Sequence, residues 1–127
     1  MECAVVTTKP MIRVAGFGMR AGAGPDSLHA ALTLAGAGPL TALATIAERA
    51  AGLQPLADAM ALPLRIVPVQ GVVTPTQSKR VQARFGTGSV AEAAALAGAG
   101  KGARLVVLRV TSGDGMATCA VAEGDGL

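Results

Sequence analysis

Residues 12–35 read IRVAGFGMRAGAGPDSLHAALTLA, and the fold turns on this stretch. Ile12-Arg13-Val14-Ala15 is short and apolar, which predicts a first buried strand. Gly16 to Pro25 follows as a glycine-dense loop. Leu28, Ala31, Leu32 and Ala35 then recur at i, i+3, i+4 and i+7, the spacing of a helix with one buried stripe. Pro25 and Asp26 suit its first turn, where a missing N–H is harmless and an acid meets the positive end of the helix dipole. Gly36-Ala37-Gly38-Pro39 ends it.

The rest of the chain continues the same alternation. Leu43-Ala44-Thr45-Ile46 reads as a second buried strand. Leu53, Leu56 and Met60 mark a short helix, with Pro55 expected near its start. Leu64 to Val69 reads as a third strand, broken by Pro68 and so placed at an edge. Val72 to Gln77 is extended and irregular. Ser78 is set to cap a short helix with Val81 and Phe85 on one face and Arg80 and Arg84 on the other. Ser89-Val90-Ala91-Glu92 is a capping box that opens an Ala-rich helix to about Ala97. Leu105-Val106-Val107-Leu108 is continuous and rich in β-branched residues, as in a central strand covered on both faces. Ser112-Gly113-Asp114-Gly115 is a hairpin turn signal, and Met116 to Ala122 pairs back antiparallel. The expected fold class is α/β: a three-layer, mostly parallel sheet with helices on both faces and one antiparallel C-terminal edge strand. One domain is expected over residues 11–122. Residues 1–10 and 123–127 read as tails, the first as a loosely held leader or the product of an early start codon, because Met11 opens the pattern sharply.

Composition narrows the function classes. The chain has 127 residues, of which 51% are hydrophobic, 15% charged and 2% aromatic. That is too apolar for a disordered chain. Two Phe and no Tyr or Trp leave almost no stacking platforms for single-stranded nucleic acid. A net charge of +3 favours an anionic partner without specifying nucleic acid. Cys3 and Cys119 have no metal-ligand or C-x-x-C context and read as reduced thiols. The uncharged run Ala30–Ala47 is cut by Gly36–Pro39, so it reads as helix, turn and strand rather than a membrane span. No cationic segment leads into an apolar one at the N-terminus, so a cytoplasmic protein is expected.

In open α/β sheets ligands gather at the carboxyl ends of the strands. That directs attention to the loops after Ala15, after Ile46 and before Ser78. Gly16-x-Gly18-x-x-Ala21 matches a dinucleotide fingerprint, with Glu48 placed as its ribose acid. Against it, Gly22, Gly24 and Pro25 delay the helix, and the chain is too short for the rest of such a domain. Two other readings stand: the glycines supply turns, or their N–H groups hold a carboxylate. Arg20 projects from the first loop, Arg49 follows the second strand, Lys79, Arg80 and Arg84 belong to the expected third helix, and Arg109 ends the fourth strand. Converging on one cleft they suit a polycarboxylate; singly, each is an ordinary solvated cation. Glu92 reads as the capping-box acid, with a catalytic carboxylate as the alternative. His29, the single histidine, reads as a packing or surface residue. No metal site, cofactor or nucleophile motif is expected.

Val14-Ala15-Gly16-Phe17-Gly18-Met19-Arg20 resembles the "G-h-G-C-R" opening of the CobE/CbiG C-terminal domain family of cobalamin (vitamin B12) biosynthesis. Leu43–Ile46 is similar to its "A-T-I-D/E" segment, and Gly52-Leu53, Leu56-Ala57 and Leu62-Pro63-Leu64 to "G-L-x-x-L-A…L-P-L". Thr76-Gln77-Ser78 to Val81, then Gly86-Thr87-Gly88-Ser89-Val90-Ala91-Glu92-Ala93-Ala94-Ala95, resemble "T-x-S-x-x-V…T-G-x-x-x-V-A-E-A-A-A". Leu105–Arg109 and Thr118–Ala122 resemble the closing strands. Met19 stands where the family has Cys, the segment after the second strand is shortened to Ala47–Ala50 so that Arg49 takes the place of its Lys, and Arg109 replaces another Lys. The resemblance, and a length like the stand-alone CobE form, imply a protein that binds a polycarboxylate precorrin, a tetrapyrrole. They imply a ligand-binding set of Gly16, Gly18, Arg20, Arg49, Thr76, Ser78, Arg84, Gly86, Gly88 and Thr118. They also imply two alternatives. One is opening of the cobalt-precorrin-5A lactone with release of acetaldehyde, for which Glu48 or Glu92 would be the base. The other is an accessory module docking on another pathway enzyme. No nucleic-acid, membrane or metal partner is implied.

Overall fold

The computed structural model describes residues 11–36 and 38–126. Cys3, the expected leader 1–10 and the turn residue Ala37 lie outside them. In chain order the elements are β1 (Ile12–Met19), α1 (Pro25–Ala35), β2 (Ala42–Thr45), a 3-10 turn (Ala47–Arg49), α2 (Ala50–Met60), β3 (Leu64–Ile66), α3 (Lys79–Phe85), α4 (Val90–Ala99), β4 (Arg104–Thr111) and β5 (Ala117–Gly124). They form an α/β fold around one mixed five-stranded sheet, in the order β3-β2-β1-β5-β4.

The sheet corrects the expected topology. β1–β2 and β2–β3 are parallel, whereas β1–β5 and β4–β5 are antiparallel, so the sheet is not mostly parallel. The C-terminal strand is not an edge either. β5 slots between β1 and β4, and β4 takes the edge. Side-chain size explains the exchange. β5 carries Ala117, Cys119, Ala120, Val121 and Ala122, all buried and small enough to be overlaid from both sides. β4 alternates exposed and half-buried residues, and Val106 and Leu108 reach solvent. Its continuous apolar run therefore reports hydrophobicity, not coverage. Two register shifts against β5, between Leu105 and Val107 and between Val107 and Val110, mark bulges that break the alternation. The expected tail from residue 123 is partly strand: β5 runs to Gly124, and Glu123 pairs with Arg13 at 2.6 Å.

The first strand is also longer than expected. β1 continues through Gly16-Phe17-Gly18 to Met19, so both glycines lie within a strand and the loop begins at Arg20. Alternation along β1 sorts its residues between two apolar clusters. Ala15 and Phe17 pack with Leu28, Ala31, Leu53 and Leu56 of α1 and α2. Val14 packs with Ala94 and Ala95 of α4 and with Ala44 of β2. Gly16 faces α4 at backbone contact: a Cβ there would lie 2.2 Å from the Ala91 carbonyl oxygen and 2.3 Å from the Ala95 nitrogen. Gly98 returns the compliment from the helix, since its Cβ would meet Ala44 at 2.9 Å. Small residues on both sides let α4 lie close on the sheet.

The helix signals hold. Pro25 opens α1, and Gly36 closes it in the left-handed region at φ 57°. Pro55 sits inside α2 rather than near its start. Its missing N–H withholds the usual i→i−4 donor from the Ala51 carbonyl, a loss that is cheap on an exposed turn. Ser78 and Ser89 cap α3 and α4 through the N–H groups of Val81 and Glu92. β3 ends at Ile66, before Pro68, and is an edge strand as expected. His29 is exposed on α1.

Candidate functional site

Four strands, β1 to β4, run the same way, so their carboxyl ends share one rim of the sheet. A cleft of about 660 Å³ opens there. The end of β1 contributes Gly18, Met19, Arg20 and Ala21. Ile46 and Arg49 follow β2. Arg109 and Thr111 close β4, and Gly115, Met116 and Thr118 begin the return along β5. Ser78, Arg80, Val81, Arg84 and Phe85 come from α3, and Val90 from α4. The loops after β1 and after β2 therefore converge as expected, whereas the third contribution comes from Ser78 and α3 and not from the loop before Ser78.

Five guanidinium groups line this cleft, and no Asp or Glu does among the described residues. Arg49 is fixed: its Nε donates to the Met19 carbonyl oxygen at 3.0 Å, tying the start of α2 to the end of β1. The Arg20 backbone N–H donates to the Met116 carbonyl at 2.9 Å, which holds the first loop against the hairpin. The Thr118 hydroxyl donates to the Gly18 carbonyl at 3.2 Å across the same corner. Arg84 lies 5.1 Å from the centre of the Phe85 ring. Ile46, Val81, Phe85, Val90, Met19 and Met116 give the cleft an apolar lining. The site can therefore hold an amphiphilic anion: an apolar body between side chains, acidic groups toward the guanidiniums.

Of the expected ligand-binding residues, Gly18, Arg20, Arg49, Ser78, Arg84 and Thr118 line the cleft. Gly16, Thr76, Gly86 and Gly88 do not. Gly16 is the packing glycine under α4, which also removes the dinucleotide fingerprint, since no loop cradle exists there. Gly86 is the left-handed residue that ends α3, at φ 73°. Gly88 is pressed against the Thr76 carbonyl, 2.5 Å from where its Cβ would be. Thr76 serves Glu92.

Glu92 is the largest polar side chain that is fully buried. Ser89 Oγ accepts its N–H at 3.2 Å, but the reciprocal half of the capping box does not form. The carboxylate turns instead to three other donors. Oε1 accepts the Thr76 N–H at 2.9 Å, and Oε2 accepts the Thr76 hydroxyl at 2.7 Å and the Arg109 N–H at 2.9 Å. The last donor is available because the β4 bulge between Val107 and Val110 releases Arg109 from the ladder. Glu92 thus positions both the loop before α3 and the residue that sends Arg109 into the cleft. Glu48 is exposed on the 3-10 turn and lines a neighbouring groove, not the cleft.

Arg80 and Arg109 complete the cationic lining and stood outside the expected binding set. Their signals were present: a helical spacing of four from Arg84, and a place at the end of a strand parallel to β1. The other polar cluster lies at the rim. Asp114 accepts hydrogen bonds from the Ser112 hydroxyl at 2.6 Å, from the Ser27 hydroxyl and from the Met116 N–H at 3.0 Å. Ser112, then Ser27, then Met116 hold its carboxyl down to about 2. Burial pushes the Cys119 thiol up to about 12.

The fold and site define the class: a small mixed α/β domain with a cationic, partly apolar cleft at its strand ends. The chain belongs to the family described as Cobalamin synthesis G C-terminus, whose model matches residues 13–122. By family it is a cobalamin-biosynthesis protein. Its structure is similar to that of CobE, a protein from the cobalamin (vitamin B12) biosynthetic pathway, with 29% identity and a TM-score of 0.74 over 91% of this chain and 92% of that one. It is also similar to the cobalamin biosynthesis protein chiG from Agrobacterium tumefaciens str. C58, with 37% identity and a TM-score of 0.61 over 87% and 97% of the two chains. A cobalamin biosynthesis protein G homologue from Sulfolobus solfataricus shares the fold at 19% identity and a TM-score of 0.64. The match covers 91% of this chain and 37% of that longer one. No curated protein sequence matches.

Proposed function

We propose that the chain binds a polycarboxylate precorrin in the cleft at the strand ends. The observation that carries this reading is the lining: Arg20, Arg49, Arg80, Arg84 and Arg109 surround one apolar-floored space with no acid among the described lining residues. Each guanidinium offers a planar fork that suits a carboxylate, and a corrin precursor carries carboxylates around an apolar macrocycle. The volume lies within the range of small-molecule sites. The pathway assignment of the family supplies the ligand class. The buried free thiol of Cys119 suits a reducing compartment, so the proposed location is the cytoplasm.

Binding is proposed rather than lactone hydrolysis. Glu92 is fully buried and its carboxylate already accepts three hydrogen bonds, and Glu48 lies outside the cleft. Neither is placed to activate a water on a ligand held there. Titration of the protein with a precorrin, followed by tetrapyrrole absorbance, tests the reading. A saturable spectral change is expected, weakened about tenfold by Arg20→Ala or Arg49→Ala. An unchanged spectrum overturns it, and a change that requires a second pathway enzyme supports the docking-module alternative instead.

A further inference from the structure

α3 has an unusual balance for a helix in a small domain: none of its seven residues is buried. Its two ends are tied down by backbone hydrogen bonds. The Ser78 N–H donates to the Gly88 carbonyl and the Gly71 N–H to the Gly86 carbonyl, each at 2.9 Å. Val81 and Phe85 also pack, partly buried, against the apolar cluster that includes Val67, Val69 and Val90, and with Arg80 and Arg84 they line the cleft. Successive helical residues are about 100° apart. Arg80 and Arg84 therefore form one stripe, and Val81 and Phe85 a second stripe beside it, not opposite as the sequence suggested. All four line the cleft.

Arg80 and Arg84 are neighbours at i and i+4, with Cβ atoms about 5–6 Å apart. They repel each other, and neither has an ion-pair partner among the described residues. Arg49, by contrast, is already held by the Met19 carbonyl. An anion with two acidic groups a few ångströms apart would relieve that repulsion and order both side chains at once. We infer that α3 is the element that selects the ligand: Arg80 and Arg84 grip two carboxylates on adjacent substituents of one ring, and Val81 and Phe85 lie against the ring's apolar body. This rests on the proposed reading of the cleft and names the feature of the ligand that it recognises.

Two porphyrins test it by fluorescence titration of the full chain. Uroporphyrin III carries an acetate beside a propionate on every pyrrole; coproporphyrin III has a methyl in place of each acetate. The wild type is expected to bind uroporphyrin about tenfold tighter than coproporphyrin. Arg80→Gln/Arg84→Gln should weaken uroporphyrin binding about a hundredfold and bring the two probes to near-equal affinity. The charge-matched pair Arg20→Gln/Arg109→Gln should weaken both probes and keep the preference. Arg80→Lys/Arg84→Lys, which keeps the charge and loses the fork, should recover only part of it. Circular dichroism checks that each variant is folded. If the wild type shows no preference, or the α3 variant keeps it, the role of α3 is refuted while the cleft reading stands. If the wild type binds neither porphyrin, both fall.

Discussion

Gly16→Ala separates a packing glycine from a ligand-cradling one. An added Cβ would lie 2.2 Å from the Ala91 oxygen, 2.3 Å from the Ala95 nitrogen and 2.9 Å from the Ala95 Cα. All three are backbone atoms of α4, so no side-chain rotation relieves the overlap. The helix must move about 1 Å off the sheet to restore ordinary contact, and a gap of that size forfeits a quarter to a half of each dispersion well it opens. α4 buries eight of its residues, Val90 to Ala95 with Gly98 and Ala99, so the loss is spread along the whole element. The expected cost is at the upper end for overpacking, about 3 kcal/mol, with a melting temperature lower by about 10 °C. Urea denaturation of the variant measures it against Gly113→Ala, where a Cβ would meet nothing within 4 Å and the change should stay within about 0.5 kcal/mol. If Gly16→Ala matched that control in stability yet lost ligand affinity, the glycine would be serving a ligand and the packing argument would be wrong.

Glu92→Gln leaves three donors facing an amide that can accept at one end only; a loss of about 2–3 kcal/mol is expected in urea titrations, and wild-type stability would contradict it. Asp114 has a folded pKa of about 2 against 3.8 unperturbed, so its contribution is complete above about 3.8 and is lost as pH falls through about 2. Asp114→Asn should therefore flatten the acid limb of stability across that window, and an unchanged acid slope would count against the Ser112–Asp114–Ser27 network. In a Cys3→Ser background, Cys119 should resist thiol reagents at pH 8 until the chain unfolds, because burial holds its thiol protonated; labelling of the native protein at the rate of a free thiol would show the site to be open.

What the sequence made legible was whatever depends on local chemistry. The start and end of α1, the caps of α3 and α4, and the hairpin turn at Ser112–Gly115 follow from residue types acting within a few positions of themselves. Strand order depends on which surface covers which strand, and composition misled there. Leu105 to Leu108 looked central for being apolar, and Met116 to Ala122 was placed at the edge as the antiparallel return of the last hairpin. In a sheet packed closely by an Ala-rich helix, small residues belong at the centre. Gly16 and Gly18 carried that information: two apart, they share a face of β1, and Ala91 and Ala95 supply the helix that approaches it. A G-x-G strand and an A-x-x-x-A helix are one complementary signal, visible only when read together.

The site was legible to the extent that the parallel strands bring their ends together. Arg20, Arg49, Ser78 and Arg84 could be collected that way. Arg109 joins them because β4 runs parallel to β1, through an antiparallel strand between them. The link that places it is the same one that explains Glu92. A bulge frees the Arg109 N–H, a buried carboxylate accepts it, and that carboxylate also holds Thr76, two residues before the cap of α3. An acid that looks catalytic by burial and by motif therefore acts on the lining from behind. It sets the backbone from which Arg109 enters the cleft on one side, and the loop that leads to Arg80 and Arg84 on the other. Removing it should disturb both sides of the cleft at once, a coupling that neither arginine alone can produce.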